Sequence, residues 1–409
     1  MKIKLKDRKC SHFLDRFLLN IWKSIFYKIL NMINIGSLKI TCVDGNIRYF
    51  GNDSKNSEEI QINDTRFYKK VVLGGSMGLG EAYVAGFWSS SDLSNCLRIL
   101  AANCSQFGNF QKGISFFKRI FNRFIHLLRI NTRKNSLNNI REHYDLSNEF
   151  YKTFLDSSMT YSSAIYDGKP LSLEQAQDNK LNKIIDLSCI KEGDRVLEIG
   201  SGWGALAFKA HCIGAQIKTI TLSRAQHQYV QELLVKNGVS DKFEAKIQDY
   251  RDESGIYDAV LSCEMIEAVG KEYLLGYFQK IKDLLKVNGR AVIQAITIND
   301  EDYNDYSNSC DWIQKYIFPG GHLPSILAIK EHINCISDFK IIYISSFGKD
   351  YAKTLDCWKD RFEGSRAQVS ALGSDDNFQR KWHYYFSYCI AGFENEMTNV
   401  HHIVIERTA

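Results

Sequence analysis

At 409 residues the chain is too long for one ordinary hydrophobic core, which predicts two domains. Hydrophobic content of 44% and charged content of 24% are those of a soluble globular protein. The net charge is only +5, but no acidic residue lies between Asp92 and Glu142, a stretch with nine Lys and Arg from Arg98 to Arg141. Lys2, Lys4, Lys6, Arg8 and Lys9 repeat the bias. Such a surface seeks an anionic partner, either lipid headgroups or nucleic acid. The eleven cysteines include no C-x-x-C pair, so reduced cytosolic thiols are expected and a clustered metal site is not.

Residues 1–35 read as amphipathic and basic, with Phe13, Phe17, Leu18, Ile21, Ile25 and Phe26 at helical spacing. Asp15, Arg16, Lys23 and Lys28 make the segment too charged to span a bilayer, so membrane contact would be peripheral. Alternation in 36–65 around Asp44-Gly45-Asn46 predicts a hairpin. A helix is expected around 68–72, followed by the glycine-rich run 74–80 and a helix over 81–104. In Ile114 to Leu128 one helical face carries Ile114, Phe117, Phe121, Phe124, Ile125 and Leu128, flanked by Lys118, Arg119, Arg123 and Arg129. That pattern suits a helix lying in a headgroup layer, or a linker helix packed on its own protein. Residues 131–136 read as an interdomain connection. From about Asp186 strands at 196–199, 216–221, 243–247, 259–261 and 290–297 alternate with helices, which predicts a mostly parallel sheet covered on both faces.

The sharpest motif is Val196-Leu197-Glu198-Ile199-Gly200-Ser201-Gly202-Trp203-Gly204, a buried strand running into a glycine turn that opens a helix. Glycines there let a cofactor approach the backbone. The spacing also fits a dinucleotide fingerprint, but the second strand ends Thr221-Leu222-Ser223 without the acid that would hold a ribose. Gln226 on the following helix is placed to do so instead. Glu198, two residues before the first glycine, is placed to order the loop. Asp249 and Tyr250 close the next strand, where a carboxylate can accept adenine amino hydrogens and a phenol can pack near the ring. Together these residues favour S-adenosylmethionine.

Four further segments then carry a family resemblance: residues 143–151 (HYDLSNEFY), 159–164 (MTYSSA), 264–270 (EMIEAVG) and 316–325 (YIFPGGHLPS). With Gly78 to Trp88 upstream, the chain resembles the cyclopropane-fatty-acyl-phospholipid synthases from about residue 36 on. The resemblance implies a class I (Rossmann-like) α/β methyltransferase domain at 131–409 behind a smaller N-terminal α+β lipid-contacting domain at 1–130. It implies cofactor contacts at Tyr161, Ser162, Gly200, Gly202, Gly204, Thr221, Leu222, Gln226 and Asp249. It also implies a bicarbonate ion as active-site base, held by Glu267, the backbone of Ile296 and the phenol of Tyr351. Cys389 matches a cysteine once proposed as catalytic, although its apolar setting predicts an inert thiol.

Three positions depart from the family pattern: Ser163 and Gln294 stand where many members have Cys and His, and Ala268 where they have His. Ser163 can serve through its amide or hydroxyl, and Gln294 can donate from its amide, but it cannot be an imidazolium. The expected reaction adds the methyl carbon of S-adenosylmethionine to the cis double bond of a phospholipid acyl chain and closes a cyclopropane. The alternative loses a different proton and leaves a methylene or methyl branch. Tyr316, Phe318 and Tyr351 are candidates to stabilise the cation that forms. The expected partners are membrane phospholipids with anionic headgroups, met from the cytoplasmic face. A homodimer is compatible with the sequence. Nucleic acid is not expected, because Pro170, Pro319 and Pro324 are the only prolines and exclude the [DNS]-P-P-[YFW] motif.

Overall fold

A computed structural model of the protein describes residues 3–53, 57–107, 146–239 and 242–409, with side chains from residue 15 onward. The amphipathic segment 114–128 and the connection at 131–136 lie outside the described residues. The chain forms two compact units, Met1–Asn122 with Gly373–Asn395, and Arg123–Leu372 with Glu396–Ala409.

In the first unit a helix, Ile3–Leu30, leads to a four-stranded sheet of β1 (Ser37–Thr41), β2 (Ile47–Gly51), β3 (Glu58–Ile62) and β4 (Trp88–Ser89), ordered β2-β1-β3-β4. The hairpin closes as its turn residues require: Cys42 N–H donates to Asn46 O at 2.8 Å, with Gly45 at φ +79°. The glycine-rich segment falls within the helical span Arg66–Val84, which non-helical backbone at Gly75 (φ 56°, ψ −139°) divides in two. Packing explains the tolerance, since a Cβ on Gly78 would sit 2.1 Å from the carbonyl oxygen of Lys70. The helix expected over 81–104 is interrupted by Gly86 (φ +75°) and β4, and restarts at Leu93 behind an Asp92 cap. This unit also takes in the helix Asp376–Glu394, which the expected boundary near residue 130 assigns elsewhere. Its Arg380 donates to the carbonyls of Tyr83 (2.7 Å) and Trp88 (2.8 Å) and lies over the Tyr83 ring.

The second unit is built on seven strands: β5 (Arg195–Ile199), β6 (Gln216–Thr221), β7 (Phe243–Ile247), β8 (Tyr257–Cys263), β9 (Leu285–Ile298), β10 (Phe339–Ser346) and β11 (Thr398–Arg407). Their order is β10-β11-β9-β8-β5-β6-β7. The pairs from β7 to β9 are parallel, and β11 runs antiparallel to both β9 and β10. One face buries Leu197, Val260, Phe278 and Ile293, the other Val196, Leu206, Leu261 and Val292. Strands buried on both sides explain the near-continuous apolar runs. The order reverses beside β5, and ligands of such sheets bind at the carboxyl ends of strands flanking that point.

Candidate active site

The glycine turn follows β5 directly. Gly200, Gly202 and Gly204 have φ of +94°, +49° and +90°, and the helix Ala205–Cys212 begins after the third. A Cβ on Gly200 would approach Met265 to 3.2 Å, and one on Gly204 would approach Val230 to 3.0 Å. A Cβ on Gly202 would meet nothing within 4 Å. The outer glycines also allow close packing, whereas Gly202 faces open space, as a cofactor cradle requires. Beside it the buried hydroxyl of Ser201 has no partner.

Around this cradle the expected cofactor residues take defined places. Thr221 Oγ1 donates to Gln226 Oε1 at 2.8 Å and accepts from Ser223 N–H, which ties the end of β6, with Leu222, to the next helix. Asp249 is paired with Arg251 at 2.6 Å, so its carboxylate is already shared with a cation. Tyr250 lies edge-on to Tyr277 at 5.4 Å. Glu198 is buried in β5 and accepts from Thr219 on β6; burial pushes its carboxyl up to about 8. Tyr161 lies among Tyr151 (5.4 Å), Trp358 (5.3 Å) and Phe318 (6.4 Å). Ser162 accepts a 2.8 Å hydrogen bond from Lys180 on the helix Leu173–Ser188, a lysine with no exposed surface.

At the end of β8 the backbone of Glu264 turns left-handed (φ +48°), an uncommon and strained setting for a non-glycine residue. The turn aims its carboxylate at three donors from three separate segments. Ser163 N–H (2.9 Å) and Gln294 Nε2 (2.8 Å) donate to one oxygen, and the Tyr351 hydroxyl (2.9 Å) donates to the other. Glu267, one short helical turn on, accepts from Ile296 N–H at 2.6 Å, while its second oxygen is buried with no partner. Burial raises both carboxyls. The three donors and the Lys180 charge oppose the rise at Glu264, whereas the neighbouring Glu264 charge adds to it at Glu267, which reaches about 8.

Strand register sets the orientation of Gln294. The β9–β11 ladder puts His402 opposite it, and His402 Nε2 lies 3.0 Å from Gln294 Oε1. Since the Gln294 amide nitrogen faces Glu264 and the Ser163 carbonyl, its oxygen must accept, which assigns the proton to His402 Nε2. Burial keeps that imidazole neutral, down to about 3.

Thus Ser163, Glu267, Gln294, Ile296 and Tyr351 gather at one place. Cys389 lies on the helix Asp376–Glu394, which belongs to the first unit. Tyr351 packs edge-on against Trp358 and Phe318 against Tyr161, whereas Tyr316 packs on Trp312. The cluster also does not fit a separate bicarbonate. Tyr351 is spent on Glu264 and the Ile296 amide on Glu267, so the donors expected to hold an ion end on the chain's own carboxylates.

Sequence reasoning passed over Glu264, Lys180 and His402. Glu264 had a signal, being a second acid at the end of a buried strand. Lys180 had none, because a lysine on an amphipathic helix reads as solvated. His402 had none either, because its strand, Thr398–Arg407, was not read from the sequence.

A family profile described as mycolic acid cyclopropane synthetase matches residues 131–403. The chain belongs to the mycolic acid cyclopropane synthetase family. It is 36% identical over 340 residues to the tuberculostearic acid methyltransferase UfaA1 of Mycobacterium tuberculosis, covering 81% of this chain and 79% of that one. To the cyclopropane-fatty-acyl-phospholipid synthase of Escherichia coli it is 31% identical over 351 residues, 85% of this chain and 88% of that one. The structure of the mycolic acid cyclopropane synthase CmaA1 complexed with SAH and CTAB aligns with a TM-score of 0.62 at 26% identity, covering 66% of this chain and 98% of that one. This member of the synthetase family is an S-adenosylmethionine-dependent methyltransferase with a mostly parallel central sheet.

Proposed function

We propose that the enzyme transfers the methyl of S-adenosylmethionine to the cis double bond of an unsaturated phospholipid acyl chain and closes a cyclopropane ring. The observation that carries this reading is the buried carboxylate pair, Glu264 and Glu267, beyond the glycine cradle and beside aromatic faces. S-adenosylmethionine supplies the electrophilic methyl. Gly200, Gly202 and Gly204, with Tyr161, Ser162, Thr221, Leu222, Gln226, Asp249 and Tyr250, would hold it. An alkene is a weak nucleophile and its attack leaves a carbocation, so the site must exclude water and offer electron-rich faces. Tyr161, Phe318, Tyr351 and Trp358 have that character. A base must then take a proton from the delivered methyl, and a fixed carboxylate in a dry site meets that demand.

A second reading has a specific support, the 36% identity to a tuberculostearic acid methyltransferase. In it a hydride shifts to the cationic carbon before the proton is lost, which leaves a methylene branch that a reductant can turn into a methyl. Carbon-13 NMR of phospholipid from vesicles treated with the purified protein and ¹³C-methyl S-adenosylmethionine separates the two. Label in a cyclopropane CH₂ supports ring closure, and label in an exocyclic =CH₂ or a methyl branch overturns it.

Contact with the membrane is proposed to be peripheral, at the cytoplasmic face, through the 1–130 domain. Phe17, Leu18 and Ile21 are exposed on the helix Ile3–Leu30. No helix of the described residues is long and apolar enough to cross a membrane.

A further inference from the structure

We infer that Glu264 is itself the general base and stands in the place of a bound anion, so that the enzyme works without bicarbonate. The inference rests on the methyl-transfer reading above. Three donors, Ser163 N–H, Gln294 Nε2 and the Tyr351 hydroxyl, converge on this one carboxylate. Such a cradle is what an exchangeable oxyanion would need, and here a side chain fills it. The strained backbone at φ +48° is what brings the side chain inward. A second anion beside Glu264 would face a like charge with its donors already taken. His402 secures the arrangement from behind by holding the Gln294 oxygen, so that the amide nitrogen points at Glu264.

The step balances. The alkene π pair forms the new C–C bond, and the S–C pair leaves with sulfur. One Glu264 oxygen then takes a proton from the delivered methyl. The C–H pair so released forms the bond to the cationic carbon that closes the ring. The proton stays on Glu264 until product leaves and then passes to solvent.

The test compares the wild-type enzyme with Glu264→Gly, because glycine is the residue that a left-handed position accepts most readily. Turnover on unsaturated vesicles is measured in CO₂-free buffer with and without sodium bicarbonate, and bicarbonate binding is measured by calorimetry. The wild type should turn over equally in both buffers and show no saturable bicarbonate binding. Glu264→Gly should lose about 10²- to 10⁴-fold in CO₂-free buffer, recover on adding bicarbonate, and bind it saturably. Saturable binding by the wild type, or loss of its turnover on removing CO₂, overturns the inference. So does a folded Glu264→Gly that keeps its turnover without bicarbonate. A wild type that methylates no acyl chain in either buffer refutes the function proposed above instead, and calorimetry alone then decides the anion question.

Discussion

The two glutamates differ in what holds them, and the difference sets what each substitution does. Glu267 is raised to about 8 and so is mostly protonated at neutral pH. Glu267→Gln is close in shape to that acid and keeps an oxygen to accept from Ile296. Its loss of turnover at pH 7 should be about tenfold or more smaller than that of Glu264→Gln, for which about 10²- to 10⁴-fold is expected. Equal losses in the two variants, measured per folded molecule at saturating methyl donor, would reject the division of roles. His402→Phe removes the donor that orients Gln294 and so weakens a hydrogen bond that favours the charged form of Glu264. Losing it raises the Glu264 pKa, and the acid limb of the turnover–pH profile should move to higher pH with cofactor affinity unchanged. An unmoved limb would make His402 a packing residue only. At this scale much of the site was legible, because Ser163 and Glu267 sit in the family segments and Gln294, Ile296 and Tyr351 match single family positions. What stayed hidden depended on backbone conformation and strand register: the inward turn of Glu264 and the pairing of His402 with Gln294 join residues 30 to 108 positions apart.

Among the elements, the glycine turn gives the sharpest contrast. Gly202→Ala places a methyl in open space at φ +49°, at a cost to stability of about 1 kcal/mol. Its main effect should fall on S-adenosylmethionine, with affinity reduced about tenfold or more by the added contact. Gly204→Ala presses on Val230 at φ +90° and should instead lower the thermal midpoint. Calorimetric titration and melting on both variants check this; unchanged affinity in a folded Gly202→Ala would remove the cradle assignment. Strands β5 to β9 were readable from their alternation with helices, and the β1–β2 hairpin because its turn residues are specific, whereas the antiparallel β10 and β11 were not read. The extent of the helical span Arg66–Val84 was not readable either, since Gly78 within its glycine-rich run packs against the Lys70 carbonyl. Nor was the place of the helix Asp376–Glu394, which depends on contacts made by Arg380 almost 300 residues from their partners.

Whole-molecule stability should carry the imprint of the buried groups. Glu198 and Glu267 hold carboxyls raised from 4.5 to about 8, so the folded state keeps protons that the unfolded state gives up. Stability is then lost as pH rises from about 4.5 to about 8. His401 and His402, lowered from 6.5 to about 4 and about 3, act oppositely and lose stability as pH falls below about 6.5. Between 6.5 and 8 the glutamates dominate, and stability should fall with rising pH by up to about 1.4 kcal/mol per unit for each group, which lowers the thermal midpoint. Glu198→Gln should shallow that slope; an unaltered slope would show that Glu198 does not titrate there. Vesicle flotation should show binding that favours anionic lipid and weakens with salt, as exposed charges are screened beyond about 10 Å at 0.1 M. Binding indifferent to both would reject electrostatic docking. The methyl is expected to go to an acyl double bond. The most direct measurement is transfer of a radiolabelled methyl from S-adenosylmethionine to vesicles whose phospholipids differ only in holding cis-unsaturated or fully saturated chains. Label should enter the acyl fraction of the unsaturated vesicles alone; equal labelling of both kinds, or label in the headgroup, would contradict it.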